Sequence, residues 1–146
     1  MASGDKKLAG KGHDRITILI AEDEPINQKM IERALELNGF RAVVTANGRE
    51  FLDVLEGGLD PDLLMLDLHM PVMDGVAVLK HLQAQDALGA LPVVIFTSER
   101  DSSVVHDAIE LGATDYILKP FAASALAKRI AAFIFAPDPA DLARIL

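Results

Sequence analysis

Five short apolar runs, each followed by a segment with helical periodicity, constrain the fold of this chain more than any other feature. The runs are predicted strands, and they span 16–21, 42–46, 63–68, 93–98 and 116–118. The first of them is apolar on both faces, as expected for a strand in a sheet that is covered on both sides. Strands that alternate with helices form a parallel sheet with right-handed crossovers. The sequence therefore predicts an α/β fold, a (βα)5 doubly wound five-stranded parallel sheet.

The segments between the runs carry the signals that begin and end helices. The predicted helices span 25–37, 48–56, 76–85, about 102–111 and about 122–135. Pro25 suits the first turn of the first helix, and Asn38 with Gly39 ends it. The inward face of this helix is predicted to consist of Ile26, Met30, Ala34 and Leu37.

Length and charge limit the organisation and the partners of the chain. Its 146 residues are enough for one domain with a core, and we expect a flexible tail at 1–14, the domain at 15–136 and a second tail at 137–146. A formal net charge of −8 disfavours direct nucleic-acid binding. No apolar run approaches the roughly 18 residues of a membrane span, and the polar start of the chain does not resemble a secretory signal. We therefore expect a cytoplasmic protein that binds neither membranes nor nucleic acids.

Polar residues stand where the predicted strands end. Glu22 and Asp23 follow the first strand, and Asp67 interrupts the apolar run "LLMLDL" of the third. Thr97 lies near the end of the fourth strand, and Lys119 follows the fifth. In open parallel sheets, ligands bind beyond the carboxyl ends of the strands. Because an unpaired buried carboxylate is costly, we expect Asp67 to face a cleft at this edge.

The side chains at this edge fit a magnesium ion and a phosphoryl group. Three carboxylates at one sheet edge repel one another unless a cation intervenes, and hard oxygen ligands suit Mg²⁺. Lys119 adds a second positive charge, Thr97 adds a hydroxyl donor, and a carboxylate can act as a nucleophile. A lone aspartate at a strand end is more often a helix cap or a turn residue, but such groups at four strand ends favour a functional site.

Four blocks of sequence resemble the receiver domain of two-component response regulators over residues 15–135. The blocks are "ILIAEDEP", "LLMLDLHMPVMDG", "VVIFTS" and "DYILKPF", in the order and spacing of that family. The resemblance implies a flavodoxin-like strand order 2-1-3-4-5 and a cis peptide bond between Lys119 and Pro120. The segment "EDEPINQ" is also similar to receivers of hybrid histidine kinases. A stand-alone, chemotaxis-regulator-like protein and a part of a hybrid kinase both stay open.

The resemblance assigns the metal and the phosphoryl group to particular residues. Asp67 would be the phosphoacceptor, and Glu22 with Asp23 would be the acidic pair that holds Mg²⁺. The main-chain carbonyl of His69 would complete the protein ligands of the metal. Because glutamate stands at the first acidic position, where aspartate is common in the family, its longer side chain favours a water-mediated contact with the metal.

The remaining positions that the resemblance covers concern the response to phosphorylation. Thr97 would bind a phosphoryl oxygen, Lys119 would pair with the phosphate, and Tyr116 would be the aromatic switch. The side chains of His69 and Glu99, two residues after Asp67 and Thr97, are candidates for tuning dephosphorylation.

Other residues have structural interpretations. Gly75 is predicted to serve a loop that needs a positive φ angle. Three further histidines lack metal-ligand spacing and are predicted to lie on the surface, namely His13, His81 and His106.

The function that these residues favour is phosphorylation-controlled signalling. A histidine kinase or a histidine phosphotransfer protein would phosphorylate Asp67, and the acyl phosphate would shift the domain between two conformations that a downstream protein reads at helix 4, strand 5 and helix 5. Such a domain is not an enzyme beyond its own phosphoryl transfer and dephosphorylation. A phosphatase of the haloacid dehalogenase type is disfavoured, because it needs a second aspartate where His69 stands. A pseudo-receiver that is never phosphorylated is the other alternative.

Overall fold

A computed structural model describes residues 16–86, 91–98 and 102–134 of the chain. The strands are β1 (Thr17–Ala21), β2 (Arg41–Thr45), β3 (Leu63–Asp67), β4 (Val93–Thr97) and β5 (Asp115–Leu118). The helices are α1 (Pro25–Leu37), α2 (Gly48–Glu56), α3 (Gly75–Ala84), α4 (Ser102–Glu110) and α5 (Ala123–Ile134). The predicted tails, His13 and Glu99 lie outside the described residues.

The strands form one parallel sheet in the order β2-β1-β3-β4-β5. This topology confirms the predicted (βα)5 fold and its strand order. In β1, β3 and β4 all five residues are buried, whereas β2 and β5 form the edges of the sheet. None of the helices in the described ranges is long and apolar enough to cross a membrane.

Two apolar cores cover the two faces of the sheet. Successive residues of a strand point to opposite faces, and in β3 this alternation sends Leu64 and Leu66 to one core and Leu63 and Met65 to the other. The first core contains residues of α2, α3 and α4, and the second contains residues of α1 and α5. Because both faces are covered, the carboxyl edge of the central strands is the place where polar side chains can collect.

The predicted inward face of α1 is wrong for two of its four residues. Ile26 is 75% exposed and Leu37 is 74% exposed. The buried residues of the helix are Ile31, Ala34 and Leu35, which follow the i, i+3, i+4 spacing of one helix face. This stripe packs into the core shared with α5, whereas Ile26 and Leu37 lie outside the contact.

Candidate functional site

The three central strands bring buried polar side chains to one edge of the sheet. Glu22 follows β1 directly, Asp67 is the last residue of β3, and Thr97 is the last residue of β4. Their exposed fractions are 0%, 4% and 0%. Asp23 is exposed, and Lys119 follows β5. The structure therefore brings the predicted strand-end residues to a common edge, where Glu22, Asp67 and Thr97 are buried and Asp23 is exposed.

Lys119 connects this group by ion pairs and a main-chain hydrogen bond. Its ammonium Nζ donates to Glu22 Oε1 at 2.6 Å and to Asp67 Oδ2 at 2.9 Å. Its backbone N–H donates to the carbonyl oxygen of Thr97 at 2.8 Å. The peptide bond between Lys119 and Pro120 is cis, as predicted. The lysine therefore bridges the carboxylates that follow β1 and end β3.

Burial and pairing change the acid–base behaviour of two groups in this cluster. Burial raises the pKa of the Glu22 carboxyl above its ordinary value, although hydrogen bonds from Lys119 and from the Glu24 N–H oppose the rise. Burial alone would lower the pKa of the Lys119 ammonium, but its hydrogen bonds to Glu22 and Asp67 outweigh burial and raise that pKa. Lys119 is therefore held as a cation.

The carboxylates of Glu22, Asp23 and Asp67 fit a divalent cation. One oxygen from each lies within 4.8 Å of the others, and hard oxygen ligands suit Mg²⁺. Glu22 also accepts two hydrogen bonds within the protein. Its Oε1 accepts from Lys119 Nζ, and its Oε2 accepts from the Glu24 N–H at 2.9 Å. Both oxygens of this glutamate are thus engaged within the protein. The water-mediated contact between Glu22 and the metal stays a prediction.

The loop after β3 begins with a hydrogen bond to the candidate phosphoacceptor. The backbone N–H of His69 donates to Asp67 Oδ1 at 3.1 Å, while Lys119 occupies Oδ2. Both carboxylate oxygens of Asp67 are therefore held by donors. The His69 side chain is exposed, and the role of its carbonyl as a metal ligand stays a prediction.

Gly75 serves this site in a different way from the one predicted. The glycines with positive φ in the described residues are Gly39, Gly58 and Gly112, so the prediction of a positive φ at Gly75 is wrong. An ideal Cβ at Gly75 would instead collide with the carbonyl oxygen of Asp67 and would lie 2.9 Å from Leu68 Cα. Because Gly75 has no side chain, α3 can begin directly against the end of β3.

The neighbouring loop segment is fixed against α2. The N–H of Gly48 donates to the carbonyl of Met73 at 3.0 Å, and an ideal Cβ at Gly48 would lie 2.5 Å from that oxygen. Val72, just before Met73, has a φ of 71° and is 82% exposed. A β-branched residue in this left-handed region is strained, so the surrounding contacts must hold the loop in place.

Thr97 and Tyr116, the proposed switch residues, lie on adjacent strands with very different exposure. In the parallel register, Thr97 pairs with Leu118, and Tyr116 pairs with Ile95. Thr97 is fully buried, whereas Tyr116 is 40% exposed on the edge strand. The structure thus places them two positions apart along the β4–β5 pair.

Of the surface histidines, His106 is exposed, but His81 differs from the prediction. The His81 side chain is 35% exposed, and its Nε2 lies 3.4 Å from Glu56 Oε1. His81 stands in α3 and Glu56 ends α2, so packing of these helices on one face of the sheet covers part of the ring.

Sequence reasoning missed Phe96, which is fully buried beside the site. Lys119 Nζ lies 5.1 Å from the centroid of its ring. The available signal in the sequence was its position directly before Thr97 in β4, and in the structure the register pairs Phe96 with Asp67. An aromatic residue in an apolar strand is usually a core residue, so this signal was weak.

Comparisons with known proteins agree with the observed fold. Residues 18–131 match the family model described as response regulator receiver domain. The receiver domain of the Francisella response regulator 1452 covers 83% of this chain and 98% of its own chain, with a TM-score of 0.75 and 27% identity. The signal receiver domain of a signal transduction histidine kinase from Syntrophus aciditrophicus covers 84% of this chain and 92% of its own, with a TM-score of 0.73 and 33% identity.

Curated relatives are longer proteins that contain a similar region. The DNA-binding response regulator MtrA of Mycolicibacterium smegmatis is 35% identical over 118 residues, which is 81% of this chain and 50% of MtrA. The regulatory protein AtoC of Escherichia coli is 34% identical over 104 residues, which is 71% of this chain and 22% of AtoC. The chain thus spans half or less of the length of these two relatives.

Proposed function

This chain belongs to the response regulator receiver domains. We propose that Asp67 is the residue of this chain that becomes phosphorylated in two-component signalling. The observation that carries the proposal is the burial of Asp67 at the end of β3, with Lys119 Nζ at 2.9 Å. We propose residues 15–136 as the receiver domain, with tails on both sides. A cytoplasmic location and the absence of nucleic-acid binding stay predictions.

The proposed transfer uses a carboxylate oxygen of Asp67 as the nucleophile. The oxygen attacks the phosphorus of a phosphohistidine on a histidine kinase or a histidine phosphotransfer protein. A new O–P bond forms as the P–N bond breaks, and the donor imidazole retains the electron pair. The product is an acyl phosphate, which the same site can later lose to water. In both reactions the group that is modified is Asp67 of the signalling domain itself.

We propose that Mg²⁺ is bound by Asp23, Asp67 and the main-chain carbonyl of His69, with Glu22 contributing through water. Support for the indirect role comes from the longer side chain of Glu22 and from its complete burial, whereas Asp23 beside it is exposed. A bound Mg²⁺ would offset the negative charges of the carboxylates and of the phosphoryl oxygens. Because the protein supplies few ligands, binding should be weak.

Lys119 and Thr97 are proposed to hold the phosphoryl group once it is on Asp67. Lys119 already contacts Asp67, so its ammonium needs only a small shift to pair with a phosphoryl oxygen. Thr97 ends the adjacent strand β4, so its hydroxyl can donate to a second oxygen. Movement of Thr97 would then be transmitted to Tyr116 on β5.

We propose α4, β5 and α5 as the face that the downstream partner reads. Support comes from the edge position of β5 and from the exposure of Tyr116. Val104 and Val105 of α4 are half-buried, and Val104 packs against the first core. Substitutions there would disturb folding, so exposed residues such as His106, Tyr116 and Lys128 are the better probes of this face.

Two alternatives are weaker. A haloacid dehalogenase-type phosphatase needs an acid or base two residues after the nucleophile, and His69 at that place has an exposed side chain. Phosphorylation explains the buried Asp67 carboxylate and its pairing with the half-buried Lys119, whereas a pseudo-receiver does not require them. Phosphorylation itself separates the pseudo-receiver from the proposed function.

The proposal is tested with acetyl phosphate and Mg²⁺, with mass spectrometry to count phosphoryl groups and borohydride reduction to locate the acyl phosphate. The wild type should be phosphorylated, and Asp67→Asn should not. Asp62→Asn is the matched control, because Asp62 is also buried and lies just before β3, where its Oδ2 accepts the Thr17 N–H at 2.8 Å. A phosphorylated Asp67→Asn protein would place the nucleophile elsewhere. A wild type that is neither phosphorylated nor able to bind beryllofluoride would be a pseudo-receiver.

A further inference from the structure

We propose that Phe96 is a positioning residue for Lys119, and that the face of its aromatic ring keeps the lysine ammonium between Glu22 and Asp67. The inference rests on the proposed function, because Lys119 matters as the group that pairs with the phosphoryl oxygens. It adds to the two carboxylates a third contact that carries no formal charge.

The geometry is that of a cation over an aromatic ring. Lys119 Nζ lies over the ring of Phe96 at 5.1 Å from its centroid. Cations are attracted to ring faces within about 6 Å of the centroid, and the attraction is stronger where water is excluded. The Lys119 side chain is only 17% exposed, and Phe96 is fully buried. Both partners therefore meet in a place where the interaction is strong.

Phe96 also contacts the segment that carries Lys119. Phe121, two residues after Lys119, packs near-perpendicular to Phe96, with ring centroids 6.3 Å apart and an interplanar angle of 82°. This is a favoured arrangement of aromatic pairs. The Lys119 N–H is bonded to the carbonyl of Thr97, the next residue of β4. The last two residues of β4 thus hold both the backbone and the ammonium of the lysine.

The ring contact differs from the ion pairs in what happens during phosphorylation. Asp67 is a free carboxylate before transfer and an acyl phosphate after it, so one ion pair of Lys119 must be exchanged. The Phe96 ring does not accept a conventional hydrogen bond, so the three N–H donors of the ammonium stay available for oxygen atoms. The ring also stays neutral throughout the transfer. It can therefore hold the ammonium in the cleft while its oxygen partners are exchanged.

The test replaces Phe96 by phenylalanine analogues with one, two and three fluorine atoms, introduced at this position alone in the full chain. Fluorine withdraws electron density from the ring face while the shape stays nearly constant. The rate of Asp67 phosphorylation by acetyl phosphate should fall stepwise, by about twofold to tenfold across the series. The same analogues at Phe51, which is equally buried but lies in the other core, are the matched control and should leave the rate unchanged.

Nuclear magnetic resonance of the Lys119 side chain provides a readout that packing alone would not change in steps. In the wild type, its methylene protons next to Nζ should be shifted upfield by the ring and should be well ordered. The shift and the order should decrease with each fluorine atom, before any phosphoryl donor is added. Unfolding measurements on the same series show whether stability has stayed constant.

The outcomes separate the two proposals. If the rate and the Lys119 signals are unchanged across the fluorinated series, the ring face does not position the lysine, even if Phe96→Leu lowers the rate through lost packing. If the wild type accepts no phosphoryl group, the proposed function fails. The Lys119 signals then still decide whether the ring holds the ammonium.

Discussion

The central strands and the edge strand β5 differ in how completely the protein buries them. All five residues of β1, β3 and β4 are buried, whereas in β5 only Ile117 is buried, and Tyr116 and Leu118 are 40% and 38% exposed. A close-packed residue cannot move without loss of its contacts, whereas an edge residue can. We therefore expect the central strands to keep the site residues in fixed positions and the edge strand β5 to move when Asp67 is phosphorylated.

The charged pairs of the two regions show the same difference. Lys119 is paired with Glu22 and Asp67, whose side chains are at most 5% exposed. At the edge, Arg129 pairs with Asp115 at 3.0 Å, and both side chains are more than a third exposed. An exposed pair contributes little because solvent screens it, whereas removal of one partner of a buried pair is strongly destabilising. The central region is therefore the less tolerant of substitution.

The largest expected effect on stability comes from replacing a leucine by alanine in a central strand, and the same replacement in the edge strand is its comparison. Leu66→Ala in β3 removes a fully buried side chain next to Asp67 and should lower the free energy of unfolding by about 3 to 5 kcal/mol. Leu118→Ala in β5 removes a partly exposed one and should cost less than about 1 kcal/mol. Urea unfolding followed by circular dichroism measures both. Equal losses would contradict the distinction between centre and edge.

A methyl group added at Gly75 tests how tightly the site is packed. Gly75→Ala should lower the free energy of unfolding by about 1 to 3 kcal/mol, because the new Cβ meets the backbone of Asp67 and Leu68. It should also weaken Mg²⁺ binding, measured by calorimetry, because Asp67 must shift. Gly57→Ala is the control, since Gly57 is exposed and has a helical φ of −75°. If Gly75→Ala bound Mg²⁺ as the wild type does, Gly75 would not position Asp67.

Thr97→Ala tests the connection from the centre to the edge. Asp67 should still accept a phosphoryl group. The equilibrium constant between the conformations of Tyr116 without and with phosphorylation should change by roughly tenfold less than in the wild type, because one charge-assisted hydrogen bond is lost. The measurement is the Tyr116 ring signal with and without beryllofluoride, in the wild type and in the variant. Identical Tyr116 responses in both proteins would mean that the ring does not detect the Thr97 hydroxyl.

The smallest expected effect is the pH dependence of stability that Lys119 contributes without Mg²⁺. Its pKa is raised in the folded state, so folded Lys119 retains its proton to higher pH than unfolded Lys119 does. The stabilisation is thus complete below the ordinary lysine pKa and is lost as pH rises through the raised value. The difference in unfolding free energy between wild type and Lys119→Gln should shrink in alkaline solution.

Lys128→Gln, an exposed change of equal charge on α5, is the control for that measurement. A Lys119→Gln difference that stayed constant with pH would show that the ion pairs do not hold the proton of Lys119.

Local signals in the sequence were sufficient for the elements and for the edge at which the site lies. The strands followed from short apolar runs to within one residue at each end, and Pro25, Asn38 and Gly39 mark the ends of α1 as predicted. Local signals were not sufficient for the face of α1, because Ile26 and Leu37 have helical spacing but are exposed in the part of the chain that the structure describes. Periodicity defines a possible face, and only packing decides which one is buried.

Gly75 and Phe96 show a second limit. Both were assigned ordinary structural roles or none, because a glycine in a loop and a phenylalanine in an apolar strand have many possible reasons. Their roles depend on atoms that other segments place within contact distance, namely the Asp67 carbonyl for Gly75 and the Lys119 ammonium for Phe96. No local pattern encodes such distances.

The sequence by itself determined the order of the elements, the parallel topology and the gathering of acidic, hydroxyl and basic side chains at one sheet edge. These features follow from periodicity, from helix-ending residues and from the rule that parallel strands end on the same side. Only the tertiary structure decided that Lys119 bridges Glu22 and Asp67 with its ammonium over the face of the Phe96 ring. Glu22 and Lys119 are 97 positions apart in the chain, and their 2.6 Å contact exists because the sheet brings the ends of β1 and β5 to the edge where β3 also ends.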